Sequence, residues 1–142
     1  MFASSETRRR WLVGLETVTG VAAVVGGVLL AARPDGSLLR ADAAALAGSP
    51  FDDWRAPGVL LASLVGAGML SAAAVALRDR QRGAWVSVAA GTGLVLFEAF
   101  ELAWLGPQPL EAVFALVGAA IATLAWSETS ARRRPRLTTR HH

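Results

Sequence analysis

Apolar positions fall into four long runs, separated by short stretches that hold most of the charge and most of the turn-forming residues. The runs cover 11–32, 57–77, 84–105 and 110–126. None of them alternates with period two, as a strand with one wet face would. A helix rises about 1.5 Å per residue, so roughly 20 residues cross the ~30 Å hydrocarbon core of a bilayer. Three runs reach that length, and the fourth, at 17 residues, lies at its short limit. Backbone N–H and C=O groups find no water in lipid, which leaves the helix as the way for such runs to cross. The predicted fold is all-α: a four-transmembrane-helix bundle whose third and fourth helices form a short hairpin.

The breaks fit four spans. Arg33-Pro34-Asp35-Gly36 ends the first with a charge and a turn. Residues 33–56 make the one long connection, and its middle, 41–47, is predicted to form a short helix lying on the outer interface. Ser49 and Asp52 are candidate caps for the return into the bilayer. Pro57 suits the first turn of the second helix, where its missing N–H costs nothing. Gly106-Pro107-Gln108-Pro109 supplies the hairpin. Residues 1–10 read as a cytoplasmic arm, and 127–142 as a basic, disordered cytoplasmic tail. A secretory signal is the competing reading of the first run. At 22 residues the run exceeds the usual apolar region of a signal, and Ala31-Ala32 is a poor cleavage pattern, so a span is expected.

Charge orients the bundle. All 14 basic residues are Arg. In a four-span chain eleven of them (8–10, 78, 80, 82, 132–134, 136 and 140) fall on one side, and only Arg33, Arg40 and Arg55 on the other. That asymmetry predicts both termini inside, as in a multi-pass protein of the cytoplasmic membrane. Tryptophan gives a separate test, since its amphipathic ring favours the membrane interface. Trp11, Trp85 and Trp126 fall at the inner boundary, and Trp54 and Trp104 at the outer one. All five are expected to be interface anchors.

Composition narrows the chemistry. Apolar residues make up 54% and charged residues 18%, with a mean hydropathy of +0.44; soluble domains carry about 25% charge. The isoelectric point near 11.2 would suggest nucleic acid in a soluble chain. Beside long apolar runs the arginines instead read as topology signals and contacts to anionic headgroups. The expected partners are the lipid bilayer and either a second copy or another membrane protein, with no nucleic acid. The absence of Cys excludes disulfides and thiolate chemistry. The only histidines are His141 and His142, too short a run for a metal site, and no nucleophile–base pair or phosphate-binding fingerprint can be assembled. No enzyme activity, metal or cofactor is expected.

What remains is a set of acids inside the spans. Glu16 lies six residues past Arg10, within reach of the headgroups or the Arg cluster, which makes it a structural residue. Glu111, at a helix start, is set apart. Glu98 and Glu101 are three apart and share a helix face with Ser87, Gly91 and Leu94, so the face is expected to look into the bundle. An ionised, unpaired carboxylate at that depth costs at least a few kcal/mol. Either the pair forms a proton or cation site opening outward, or it is tied down by Arg33, Arg55, Thr92 or a backbone carbonyl. On the outer side Asp52 and Asp53, with Trp54 and Arg55, form either a partner contact or a cap with an aromatic anchor. Small residues at helical spacing (Gly20, Gly26 and Gly27 on the first helix, Ser63, Ala67 and Ser71 on the second) mark candidate faces of close approach. Gly91-Thr92-Gly93 reads as packing.

Three segments carry a family resemblance: Gly26-Gly27-Val28-Leu29-Leu30 with Pro34-Asp35-Gly36-Ser37; Ser49-Pro50-Phe51 with Pro57-Gly58; and the Glu101 region with its hairpin and Gly118. Over residues 11–126 the chain resembles a group of small four-helix bacterial membrane proteins, common in actinobacteria, for which no activity is established. The resemblance implies the topology and implies nothing about catalysis. The expected function is that of a non-enzymatic accessory or assembly component acting through helix contacts. The alternative is a small proton- or cation-coupled transporter using its intramembrane carboxylates.

Overall fold

The computed structural model describes residues 4–107 and 109–133. Among them are four long helices and no strand: α1 (Ser5–Ala32), α2 (Arg55–Arg78), α3 (Arg80–Leu105) and α4 (Pro109–Arg133). All four are long and apolar enough to cross a membrane. Consecutive helices pack side by side, and α1 also touches α4, which closes the ring. The connections dictate this antiparallel order. Asp79 alone separates α2 from α3, and Gly106, at a positive φ of 77°, begins the passage from α3 to α4.

Each helix buries one narrow stripe and leaves the rest apolar and exposed. On α1 the buried positions are Leu12, Glu16, Thr19, Gly20, Ala23, Gly27 and Leu30, a repeat of three and four residues. Valines 18, 21, 25 and 28 of the same helix are about half exposed or more, which in water would be costly and in lipid is not. The core joins Leu12, Met69, Leu94 and Ile121, one from each helix.

Glycine sets how closely the helices approach. A Cβ on Gly58 would lie 2.6 Å from the Gly27 carbonyl oxygen, and one on Gly20 would lie 3.1 Å from that of Gly66. The face of α2 that meets α1 is thus Gly58, Ala62 and Gly66, and Ser63, Ala67 and Ser71 point outward. Residues Leu61–Ala67 form a π-helical turn, whose wider winding carries one extra residue. An eight-residue step from Gly58 to Gly66 therefore matches the seven-residue step from Gly20 to Gly27. Ser63 satisfies its hydroxyl by donating to the Val59 carbonyl at 2.6 Å, so it can face lipid. Between α3 and α4, Gly91 and Gly118 face each other in the same way, each barring a Cβ on the other.

The helices outrun the apolar runs at the arginine-rich end. Ser4 caps α1 by accepting from the Thr7 N–H (3.2 Å), so the expected arm is helical from Ser5. The expected disordered tail is helical through Arg133, with Glu128 and Thr129 buried. Arg134, Arg136, Arg140 and His141-His142 lie outside the described residues. The acids missing from the apolar runs explain the extension. Arg8 Nε donates to Glu128 Oε1 at 3.0 Å, and Glu6 pairs with Arg9, Arg10 and Arg80. Arg9 also donates to the last carbonyls of α2, Ala76 (3.2 Å) and Leu77 (3.1 Å), which have no helical partner of their own. Asp79 caps α3 through the N–H groups of Gln81 and Arg82 (2.9 and 3.1 Å).

The opposite end carries the long connection. It folds into two short 3₁₀ turns, Ser37–Leu39 and Ala43–Leu46, the second capped by Asp42. Leu46 and Trp54 are buried against Leu30 beneath them. The Trp54 backbone N–H donates to the Pro34 carbonyl at 2.9 Å, fastening the end of the loop to its beginning. Trp54 is only 6% exposed and is therefore a plug under the loop, not the interface anchor expected. The other four tryptophans are exposed. Trp85 and Trp126 meet edge to face at 6.1 Å, with Arg133 over the Trp85 ring. Ser49 accepts from the Phe51 N–H, and Asp53, in place of the expected Asp52, accepts from Arg55 N–H at 2.9 Å where α2 begins.

Candidate functional site: the intramembrane carboxylates

The buried stripe of α3 runs through Ser87, Gly91, Leu94 and Glu98, as the spacing predicts. Leu94 and the two glycines Gly91 and Gly118 draw α3 and α4 into contact through mid-membrane. Beyond that contact, toward the loop end, the two helices part. Val95, Ala99 and Leu102 on α3 and Ala112 and Ala115 on α4 line a cavity of about 320 Å³, roofed by Pro107. Glu98 lines it as well. The residue is 4% exposed, and its Oε2 has no hydrogen-bond partner.

Glu101 takes the neighbouring seam. Three residues advance the helix by most of a turn, so its side chain turns from α4 toward Phe51, Pro57 and Leu60, beside Trp104. The two acids are thus adjacent in space and divided between two seams. Glu111, set apart by its position at a helix start, joins them. The hairpin folds the first turn of α4 back on α3, so Glu111 lines the same cavity as Glu98 and all three acids lie within electrostatic range. The signal for this was the shortness of the hairpin, which makes residues on either side of it neighbours.

The expected basic partners do not come. Among the described residues Arg33 and Arg55 form no ion pair with Glu98 or Glu101, and Thr92 is exposed on another face. Arg33 is the exposed C-cap of α1, its N–H bonded to Leu29 O at 3.1 Å. Asp52, Asp53 and Arg55 line a separate shallow depression at the base of the loop. They belong to the return into α2 and not to the carboxylate cluster.

Glu16 departs furthest from expectation. It does not reach the headgroups or the Arg cluster; it is fully buried on the inward stripe of α1. On that stripe it stands between Leu12 and Thr19, and its carboxylate approaches the buried hydroxyl of Ser87 without reaching hydrogen-bond geometry. The arginines it was expected to meet are satisfied by Glu6 and Glu128, the latter overlooked because the apolar run ends at Trp126. Continuing the α4 period of Gly118, Ile121 and Ala125 by three residues would have found it.

Among the described residues no group of three or more acidic, His or Cys side chains is placed to hold a metal ion. No family model, curated protein or solved structure matches the chain.

Proposed function

We propose that this multi-pass protein lies in a bacterial cytoplasmic membrane, termini inside, as a non-enzymatic accessory or assembly component acting through helix contacts. One observation supports this best. Between α2 and α3 a groove of about 430 Å³ opens on the lipid side, lined by Gly68, Gly93 and Ala89 among larger apolar residues. A Cβ on Gly68 or Gly93 would meet nothing within 4 Å. Glycine inside a helix costs about 0.5–1 kcal/mol relative to alanine. Here that cost serves no contact within the chain, whereas it does leave room for another helix to approach. Gly14 is equally open but lies outside this groove. The anionic headgroups at the Arg-rich end complete the set of partners.

The test is a photo-crosslinking residue in place of Ala89, activated in native membranes. A protein adduct of defined mass, either a dimer of this chain or a heteromeric product, is expected, and Gly93→Leu should abolish it. Adducts to lipid alone would contradict the reading. The rival, a small proton- or cation-coupled transporter using Glu98, Glu101 and Glu16, draws support from the cavity that Glu98 lines. Unchanged cation flux in a normally inserted Glu98→Gln protein would end it.

A further inference from the structure

We propose that the cavity between α3 and α4 is a binding site, reached from the bilayer, for an organic cation with an apolar body, and that Glu98 is its counter-ion. The site lies on a different seam from the α2–α3 groove and does not depend on the helix-contact reading.

Three features carry the assignment. The first is volume: about 320 Å³ falls in the range of small-molecule pockets, where apolar walls surround a few polar groups. The second is the state of Glu98. Its residue is 96% removed from the surface (4% exposed), yet Oε2, inside the molecule, has no partner. A buried polar atom left in that condition requires an account, because the great majority are satisfied. The third is the sign of the surroundings. Glu111 lines the same cavity and Glu101 stands three residues along α3, so the groups around Glu98 are acidic, while Arg33 and Arg55 do not pair with it.

The walls decide which cation. A metal ion such as Ca²⁺ needs six or more oxygen ligands, and Mg²⁺ keeps its own waters. Glu98 and Glu111 are the only side chains of the lining that carry oxygen, too few for such a shell, and the remaining walls (Val95, Ala99, Leu102 and Ala115 among them) are apolar. An alkyl- or arylammonium ion asks for one counter-charge and buries its carbon body against such residues, at roughly 25 cal/mol per Å². The route is also given. Leu102 is 51% exposed on the apolar outer surface, and Ala99 and Ala112 beside it are exposed, so the cavity opens sideways into lipid. A hydrophobic cation already partitioned into the membrane reaches it without crossing water.

The experiment uses the full-length protein in a non-ionic detergent, with benzyltrimethylammonium followed by equilibrium dialysis. Its charge does not depend on pH, and neopentylbenzene is its uncharged isostere. Saturable binding of one cation per chain is expected, weakened at least tenfold by Glu98→Gln and by Ala112→Trp, which fills the cavity. Neopentylbenzene should bind at least tenfold more weakly than the cation. Gly93→Leu, on the other seam, should bind normally, so that loss of the helix-contact reading and loss of this one are told apart. Absence of saturable binding would overturn the assignment. So would unchanged binding by Glu98→Gln, or equal binding of the neutral isostere. Should Glu98→Gln fail to fold, Ala112→Trp with a native circular dichroism spectrum decides alone: undiminished binding contradicts the site.

Discussion

Arg8 Nε donates to Glu128 Oε1 at 3.0 Å, joining the first turn of α1 to the end of α4 across 120 positions of chain. Both side chains are largely withdrawn from solvent, with 24% and 10% exposed. A partly buried pair of this kind is worth more than a surface one, whose median lies near 0–1 kcal/mol. Arg8→Ala and Glu128→Ala should each destabilise the bundle by about 1–3 kcal/mol. Their double mutant should cost clearly less than the sum of the two. Thermal unfolding in detergent measures all three, and strict additivity would remove the pair from the account.

The glycine contacts make a sharper contrast. Gly27→Val drives a side chain into α2, where even a Cβ would lie 2.6 Å from the Ala62 nitrogen. A loss of about 2–3 kcal/mol is expected, since α1 and α2 must move apart. Gly93→Ala meets open space and should instead gain up to about 1 kcal/mol through helix propensity. The same unfolding assay compares them. Equal effects would mean that α1 and α2 are not in backbone contact.

Much of this arrangement was legible in the pattern of apolar residues. The spans are wide targets, because lipid demands long helices and every break is marked by charge, proline or glycine. The Ser87–Gly91–Leu94–Glu98 stripe was legible for the same reason, as a helical period fixes its own face. What escaped depends on contacts between distant segments. The packing face of α2 is Gly58, Ala62 and Gly66 and not Ser63, Ala67 and Ser71, a choice between two faces of small residues that spacing alone leaves open. Glu16 looked near enough to Arg10 to pair with it, and only the helix face turns it inward. Trp54 sits at interface depth, but the loop folds over it.

Trp54 should report on that loop. Trp54→Ala removes a large buried ring that packs with Leu30 and Leu46, for an expected cost of about 3–5 kcal/mol. In single-tryptophan proteins Trp54 should resist quenching by aqueous acrylamide and by quencher-labelled lipid alike. Trp11, 65% exposed, should be quenched by lipid. A Trp54 quenched as strongly as Trp11 would restore it to the interface.

Acid should loosen the corner between α2 and α3. The Arg82 N–H, with that of Gln81, holds the Asp79 carboxyl below the usual carboxylate range, and the Arg82 charge adds to this. The Ser37 N–H does the same for Asp35 in the loop. The folded value is below the unfolded one, so between the two the unfolded chain binds more protons and stability rises with pH. The contribution is complete above the ordinary Asp range, near 4, and is lost as pH falls through the folded value. The melting temperature should therefore drop below about pH 4, and Asp79→Asn should flatten that slope. An identical slope in the variant would remove Asp79 as its source.

The four-span bundle with both described ends on one side is tested most directly by cysteine labelling, for which the chain has no native Cys to remove. Single cysteines at Ser4, Gln81 and Ser130 probe the Arg-rich end, and Ser37 and Ala47 probe the loop. A membrane-impermeant maleimide applied to intact spheroplasts should label only Ser37→Cys and Ala47→Cys, and applied to inside-out vesicles only the other three. Labelling of Ser4→Cys and Ser130→Cys from opposite faces would contradict the bundle itself.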